Sequence, residues 1–164
     1  MNVSEIPITE NRKGNFVVST DKKRIDLDVV HGFLTECYWA RGIPREVVAR
    51  CIENSLCFGV HGEGRQVGFG RVISDYATYA YIGDVFVLES YRGRGLGKWL
   101  MECVMRHPWL QGLRRWSLVT GDAHGLYSQL GFAALTAPEK YMELYDPEVY
   151  VRRRSDRQEP EAIS

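Results

Sequence analysis

The reading of the fold turns on Ile82-Gly83-Asp84-Val85-Phe86-Val87-Leu88-Glu89-Ser90-Tyr91-Arg92-Gly93-Arg94-Gly95-Leu96-Gly97-Lys98. Its first half is apolar and rich in β-branched residues, as a buried strand requires. Three alternate glycines then stand among basic residues, and from Gly97 the apolar positions Leu100, Cys103 and Val104 take helical spacing. A strand, a loop with little side-chain bulk and a helix start make an anion cradle. Glycine lets the main chain approach a ligand closely, and the first amides of a helix have no internal partner. The helix dipole and the side chains of Arg92, Arg94 and Lys98 add positive potential, so a phosphate or pyrophosphate is the expected guest.

What the loop lacks narrows that guest. A Walker loop needs Ser or Thr after its lysine to hold magnesium, and Trp99 follows Lys98. The dinucleotide fingerprint needs a glycine where Lys98 stands, and Gly97 comes one residue early. It also needs an acidic residue about 20 positions on, where this chain reads Arg114-Arg115-Trp116-Ser117. A glycine-rich surface turn with solvated arginines is the plain alternative, and the strand before it and helix behind it weigh against that.

The segment from Val87 to Gly97 resembles the acetyl-CoA loop of the GNAT superfamily of N-acetyltransferases, an Arg/Gln-x-x-Gly-x-Gly/Ala pattern after a strand. Arg92, Arg94, Gly95 and Gly97 satisfy it. Downstream, Ala123-His124-Gly125-Leu126-Tyr127-Ser128-Gln129-Leu130-Gly131-Phe132 is similar to the Ala-x-x-x-Tyr-x-x-x-Gly-Phe segment of the same enzymes. Each motif is moderately specific alone, and the ordered pair is strong. The resemblance covers about Asn15 to Tyr145 and is firmest in the second half.

Composition agrees with one globular domain. The chain has 164 residues, 45% hydrophobic and 26% charged, which suffices for a stable core. Its 21 basic and 21 acidic residues balance, which weighs against a nucleic-acid partner. No apolar run approaches the ~20 residues of a membrane span, and Met1-Asn2-Val3-Ser4-Glu5 lacks signal-peptide form. Cytoplasm is the expected compartment, with no membrane partner. Cys37, Cys51, Cys57 and Cys103 are scattered and pair with none of His31, His61, His107 or His124 at zinc-site spacing, so no metal is expected.

Hydrophobic periodicity predicts strands at Asn15–Ser19, Leu56–Val60, Gln66–Ile73, Thr78–Leu88, Arg114–Thr120 and Tyr141–Tyr145. Helices are predicted from Leu27 to Cys37 after an Asp26 cap, from Pro44 through Ile52, from Gly97 to Pro108, and from Ala123 to Leu130 with Gly131 as a left-handed cap. Gly62-Glu63-Gly64-Arg65 reads as a hairpin turn, and Asp75 with Tyr76 as another. The pattern predicts an α/β domain with one mixed, mostly antiparallel twisted sheet flanked by helices. Residues 1–14 read as an extension, 15–146 as the domain, and 147–164, with Arg152, Arg153 and Arg154, as a charged flexible tail. The resemblance further implies that the Asp84 strand and the Arg115 strand splay apart to form the cofactor cleft.

What the resemblance implies about the site follows position by position. Val85, Phe86 and Val87 would pair with the pantetheine arm, and Arg92, Gly93, Arg94, Gly95, Leu96, Gly97 and Lys98 would take the pyrophosphate of acetyl-CoA. Tyr127 matches the tyrosine that faces the sulfur, and a phenol near pKa ~10 can donate to a leaving thiolate. Tyr127 also reads as a core aromatic beside Leu130. Thr120 stands where relatives often have an Asn that contacts the pantetheine arm.

Asp84 is the carboxylate nearest the cofactor strand and a candidate base. Strict alternation groups it with Ile82 and Phe86, opposite Tyr81, and a bulge would reverse that facing. Many relatives carry Glu near here, some where this chain has Gly83. A structural role for Asp84 within the sheet is equally open, with Tyr81, His124 or a water chain as substitutes. The acceptor pocket is expected to draw on Tyr38, Trp39, Arg41, Tyr76, Tyr79 and Tyr81, with Asp75 assisting, because aromatic faces attract ammonium groups. Arg41 would suit a carboxylate-bearing acceptor. The implied activity is acetyl-CoA-dependent N-acetylation of a small amine. A non-catalytic acyl-CoA-binding regulatory domain and an enzyme acting on protein amines are the alternatives, and a homodimer is an open state.

Overall fold

The structure, a computed structural model, describes residues 5–155. One six-stranded sheet runs β1 (Glu10–Lys13), β2 (Phe16–Ser19), β3 (Leu56–Gly62), β4 (Arg65–Ser74), β5 (Tyr79–Val87) and β6 (Arg115–Leu118) in sequence order. Each of the first five strands pairs antiparallel with its neighbour, and β6 joins β5 in parallel, from Tyr79↔Arg115 to Ile82↔Leu118. A parallel neighbour requires a crossover, and α3 (Leu96–Met105) supplies it. The fold class predicted from the sequence is the one observed.

Two helices cover one face of the sheet. Asp26 caps α1 (Leu27–Leu34) by accepting from the amides of Asp28 and Val29, and α2 (Arg45–Glu53) starts after Pro44. Val30, Leu34 and Val48 from these helices bury against Cys57, Phe69 and Phe86. Phe33 stacks on Phe86 with ring centroids 3.9 Å apart. The opposite face packs under α3, whose Leu100, Met101 and Val104 are at most 1% exposed and meet Val60, Val67, Val72 and Ile82. Hydrophobic burial on both faces explains why the central strands read as near-continuous apolar runs.

Turn chemistry sets the register. Glu63 and Gly64 both have positive φ, 54° and 77°, the primed turn whose twist matches a two-residue hairpin between Gly62 and Arg65. Helix α4 (His124–Ser128) ends in a left-handed Gly131 at φ 93°. The Phe132 amide donates to the Tyr127 carbonyl at 3.1 Å and the Gly131 amide to the Ser128 carbonyl at 3.1 Å. That pair of bonds is the Schellman closure, and the Tyr127–Phe132 ring contact at 6.0 Å is its usual hydrophobic companion.

Three expectations are corrected. Tyr141–Tyr145 forms no strand: Met142 and Leu144 are 97% and 104% exposed, so the alternating pattern has no sheet neighbour to bury against. Residues 149–155, expected within a flexible tail, form helix α5 (Val149–Ser155), with Tyr150 packed against the α1–α2 core. Strand β1 lies inside the span read as an extension, because its edge pairs with β2 from Glu10↔Ser19 to Lys13↔Phe16. The rest of the tail, residues 156–164, lies outside the described residues.

Candidate active site

The glycine loop forms a hollow of about 430 Å³ lined by Val87, Arg92, Gly93, Gly95, Gly97 and Lys98, with Leu126 and Gln129 of the α4 segment opposite. Gly93 and Gly95 sit at φ 77° and 74°, a region L side chains avoid, so the turn needs glycine at both. Gly95 is the N-cap of α3, and the first helical bond runs from the Trp99 amide to the Gly95 carbonyl at 3.1 Å. The main-chain nitrogens of residues 93–98 have no acceptor among the described residues. Free amides at a helix start fit the diphosphate of a coenzyme.

The basic side chains divide their work. Arg92 Nε donates to the Val87 carbonyl at 3.0 Å and braces the loop against the strand end. Arg94 reaches away from the hollow, with Nη1 3.4 Å from Glu63 Oε1 and its guanidinium 5.2 Å from the Tyr91 ring centroid. Lys98 lines the hollow.

The free edge of β5 lies between this cradle and a second hollow. Pairing with β6 ends at Ile82↔Leu118, whereas β5 continues to Val87, so Gly83–Val87 offer unpaired edge groups. That separation is the splay expected from the resemblance. On the other edge of β5 the register with β4 slips between Phe69 and Arg71, with Phe69 opposite Phe86 and Arg71 opposite Gly83. The extra residue lies at Asp84, which has φ 55°. The bulge turns Asp84 toward the α1–α2 face, where strict alternation would not put it.

There Asp84 is fully engaged. Its Oδ2 accepts from Arg71 Nε at 2.5 Å and its Oδ1 from Trp39 Nε1 at 3.1 Å. The side chains of Arg71 and Asp84 are 15% and 10% exposed. Burial pulls the Arg71 guanidinium down, but the charge and hydrogen bond of Asp84 more than offset it and hold it above its ordinary value. Arg71 Nη1 also donates to Ser55 Oγ at 3.1 Å. Both carboxylate oxygens of Asp84 are thus occupied within the protein.

Around the bulge lies a cleft of about 550 Å³, with Tyr38, Trp39, Tyr81, Asp84, Thr120 and Tyr127 on its walls. Tyr38 roofs it: its hydroxyl accepts from the Gly121 amide at 3.1 Å and donates to Asp122 Oδ1 at 3.4 Å. Tyr127 is 9% exposed, and its phenol has no hydrogen-bond partner among the described residues. Burial, then the nearby Asp122 and Tyr38, raise its pKa, so the phenol stays protonated through neutral pH. Burial, then Asp84, raise Tyr81 as well. Thr120 Oγ1 accepts from the Ala123 amide at 3.0 Å and shapes the approach to α4.

Other candidate residues lie elsewhere. Arg41, Tyr79 and His124 are not on the cleft walls. Tyr79 bonds instead to the Ser117 hydroxyl across the β5–β6 pair. Asp75 closes the β4–β5 turn, accepting from the amides of Ala77, Thr78 and Tyr79 and from the Thr78 hydroxyl, bonds that hold its carboxyl well below the usual range. Tyr76 packs against the core under α3. Conversely, Arg71, Asp122, Glu143, Tyr145 and Tyr150 line the cleft, and the sequence reading does not single them out. The alternating Tyr141–Tyr145 pattern is the signal for two of them: it places Glu143 and Tyr145 on one side of an extended segment, away from Met142 and Leu144.

Comparison with known proteins agrees with this geometry. A family model described as an acetyltransferase (GNAT) domain matches residues 53–134. A GNAT-family structure from Xanthomonas campestris pv. campestris is 53% identical, with a TM-score of 0.82, over 85% of this chain and 99% of that one. A Gibberella zeae protein named as an acetyltransferase is 29% identical over 71% of this chain and 78% of its own length. A Clostridium acetobutylicum structure with acetyl-CoA shares the fold at 14% identity and a TM-score of 0.60, over 80% of this chain and 95% of that one. The chain belongs to the GNAT family of acetyltransferases and is an acyltransferase of the N-acetyltransferase class.

Proposed function

We propose that the protein transfers the acetyl group of acetyl-CoA to the primary amine of a small molecule, by direct attack with both substrates bound. The observation that carries this reading is the unpaired edge of β5 that lies between the glycine-loop hollow and the Tyr127 cleft. Unpaired amides of residues 93–98 stand at one end of the free edge of β5, and beyond its other end Tyr127, 9% exposed as a residue, lines the cleft with no hydrogen-bond partner for its hydroxyl among the described residues. The cradle fits a coenzyme diphosphate, and Gly83–Val87 fit an extended amide-bearing arm as an added strand would. The fold relative that holds acetyl-CoA supports the same choice of cofactor.

Acetyl-CoA supplies the activated acyl group. The protein's part is largely placement, since orientation of two reactants in one cleft is worth about 7–11 kcal/mol in favourable cases. Tyr127 keeps a proton at Oη for the departing sulfur. Asp84, with both oxygens engaged, holds Trp39 and Arg71 in place and leaves the amine's proton to water at the open mouth. In the net reaction a C–S bond breaks and a C–N bond forms. The ammonium gives up two protons, one to the thiol and one to solvent.

Calorimetric titration with acetyl-CoA, followed by measurement of thiol released with a panel of amines, tests the proposal. Saturable binding and amine-dependent release are expected. Binding without transfer to any amine would return the protein to the acyl-CoA-binding regulatory reading, and transfer confined to peptides would move the acceptor to protein amines. Among the described residues no helix is long and apolar enough to cross a membrane, and we place the reaction in the cytoplasm.

A further inference from the structure

The charges on the cleft walls do not balance. Among the described residues the walls carry three carboxylates, Asp84, Asp122 and Glu143, and one cation, Arg71. Arg71 and Asp84 cancel in their ion pair. Asp122 takes only the Tyr38 hydroxyl, and Glu143 forms no ion pair among the described residues. Arg41, the cation that would have suited an acceptor carboxylate, lies off the walls. The same cleft is lined by the aromatic residues Trp39, Tyr145 and Tyr150 and by Tyr127, which is 9% exposed as a residue and has no hydrogen-bond partner for its hydroxyl among the described residues.

The attacking nitrogen does not satisfy this surplus, because it must be uncharged when it reacts. Two open carboxylates therefore call for positive charge that persists elsewhere on the acceptor. We propose that the acceptor is a dicationic alkylamine, in which one amine is acetylated beside Tyr127 and a second ammonium remains against Glu143 and Asp122. This rests on the acetyl-transfer reading above and narrows its substrate class. Glu143 comes from the extended segment 141–145, so that segment selects the acceptor as well as walling the cleft. Aromatic faces beside the carboxylates add attraction for the same cation. An acceptor ending in a carboxylate meets two like charges and no free cation.

The test uses the purified full chain with saturating acetyl-CoA and three acceptors of equal chain length: putrescine, n-butylamine and γ-aminobutyrate. They differ in the charge at the far end, positive, absent and negative. Both carboxylates are exposed, so each is worth a modest, salt-screened amount. The expected kcat/KM for putrescine exceeds that for n-butylamine by about tenfold, with γ-aminobutyrate below both. The putrescine-to-butylamine ratio is expected to shrink as salt is raised. In Glu143→Gln it should fall about threefold, and Glu143→Asp should restore part of it. Equal kcat/KM for putrescine and n-butylamine, or a ratio indifferent to salt and to Glu143→Gln, overturns the dicationic acceptor and leaves acetyl transfer standing. No transfer to any of the three, with acetyl-CoA bound and transfer to other amines of the panel retained, overturns the dicationic acceptor alone; no transfer to any amine of the panel overturns both.

Discussion

Arg71 Nε stands 2.5 Å from Asp84 Oδ2, and both residues line the cleft. The contact exists because one extra residue in β5 turns the Asp84 side chain toward β4. Trp39 occupies the other carboxylate oxygen and ties the α1–α2 loop to the same point. A buried carboxylate satisfied on both oxygens organises the cleft, and its worth is seen when the charge is removed.

Asp84→Asn is the clean probe, since Asn tolerates the left-handed backbone at φ 55°. It leaves the Arg71 guanidinium buried without its counter-charge, which costs about 3–5 kcal/mol in comparable pairs. The expected result is a large drop in the denaturant midpoint. In the surviving folded enzyme, the pH dependence of kcat/KM keeps its acid limb. Loss of that limb with stability unchanged would make Asp84 the base.

Tyr127→Phe tests the phenol. General acid catalysis contributes about 10²–10⁴-fold, so kcat should fall by at least the lower figure while acetyl-CoA affinity stays within a few-fold. Because burial raises the Tyr127 pKa, the wild-type acid function extends through neutral pH and is lost only above the ordinary tyrosine range. Unchanged turnover in the variant would reduce Tyr127 to packing.

Gly95→Ala tests the cradle. A Cβ at φ 74° costs roughly 1–2 kcal/mol in the left-handed region. The turn relieves that strain by rotating the free amides of α3 off their common target. Acetyl-CoA affinity should fall about tenfold in calorimetry, with little change in the KM of the amine. An unaltered affinity would mean the diphosphate lies elsewhere.

Local chemistry makes much of this fold legible in the sequence. The alternate glycines, the Asp26 cap, the Glu63-Gly64 hairpin and Gly131 each act through the backbone of their own few residues, so each carries its own signal. The Asp84 bulge is only a possibility in the sequence, because an Asp tolerates the left-handed backbone without requiring it and the outcome depends on register with β4. Arg71 is hidden with it, since the pair exists only once that register slips. The segment 141–145 misleads because its alternation is real and faces a cleft and solvent, where a strand would face a core and solvent.

His107 links stability to pH. It is 2% exposed, its Nδ1 accepts from the Trp109 amide at 3.3 Å, and its Nε2 is buried without a partner among the described residues. Burial lowers its pKa, so the folded protein favours the neutral ring. Below the unfolded value of about 6.5 the unfolded chain binds the extra proton, and stability falls as pH falls through that value. His61, also lowered by burial, adds in the same direction. Denaturant midpoints should decline from neutral pH toward about pH 5, and His107→Asn should flatten that decline. An equally steep decline in the variant would assign it to other groups.

Two glycines around α4 should respond to alanine with opposite sign. Gly125 sits in the helix with negative φ and open space around the position of a Cβ, so Gly125→Ala adds helix propensity worth about 0.8–1.0 kcal/mol. Gly131 is equally open but holds φ 93°, so Gly131→Ala strains the closure that pins the Tyr127 carbonyl through the Phe132 amide. That change should cost about 1–2 kcal/mol and also lower kcat, because the residue whose carbonyl it releases carries the phenol. Thermal melts paired with turnover decide the matter. If Gly131→Ala destabilises without slowing turnover, the helix end serves the fold alone and Tyr127 is positioned by its burial in the core.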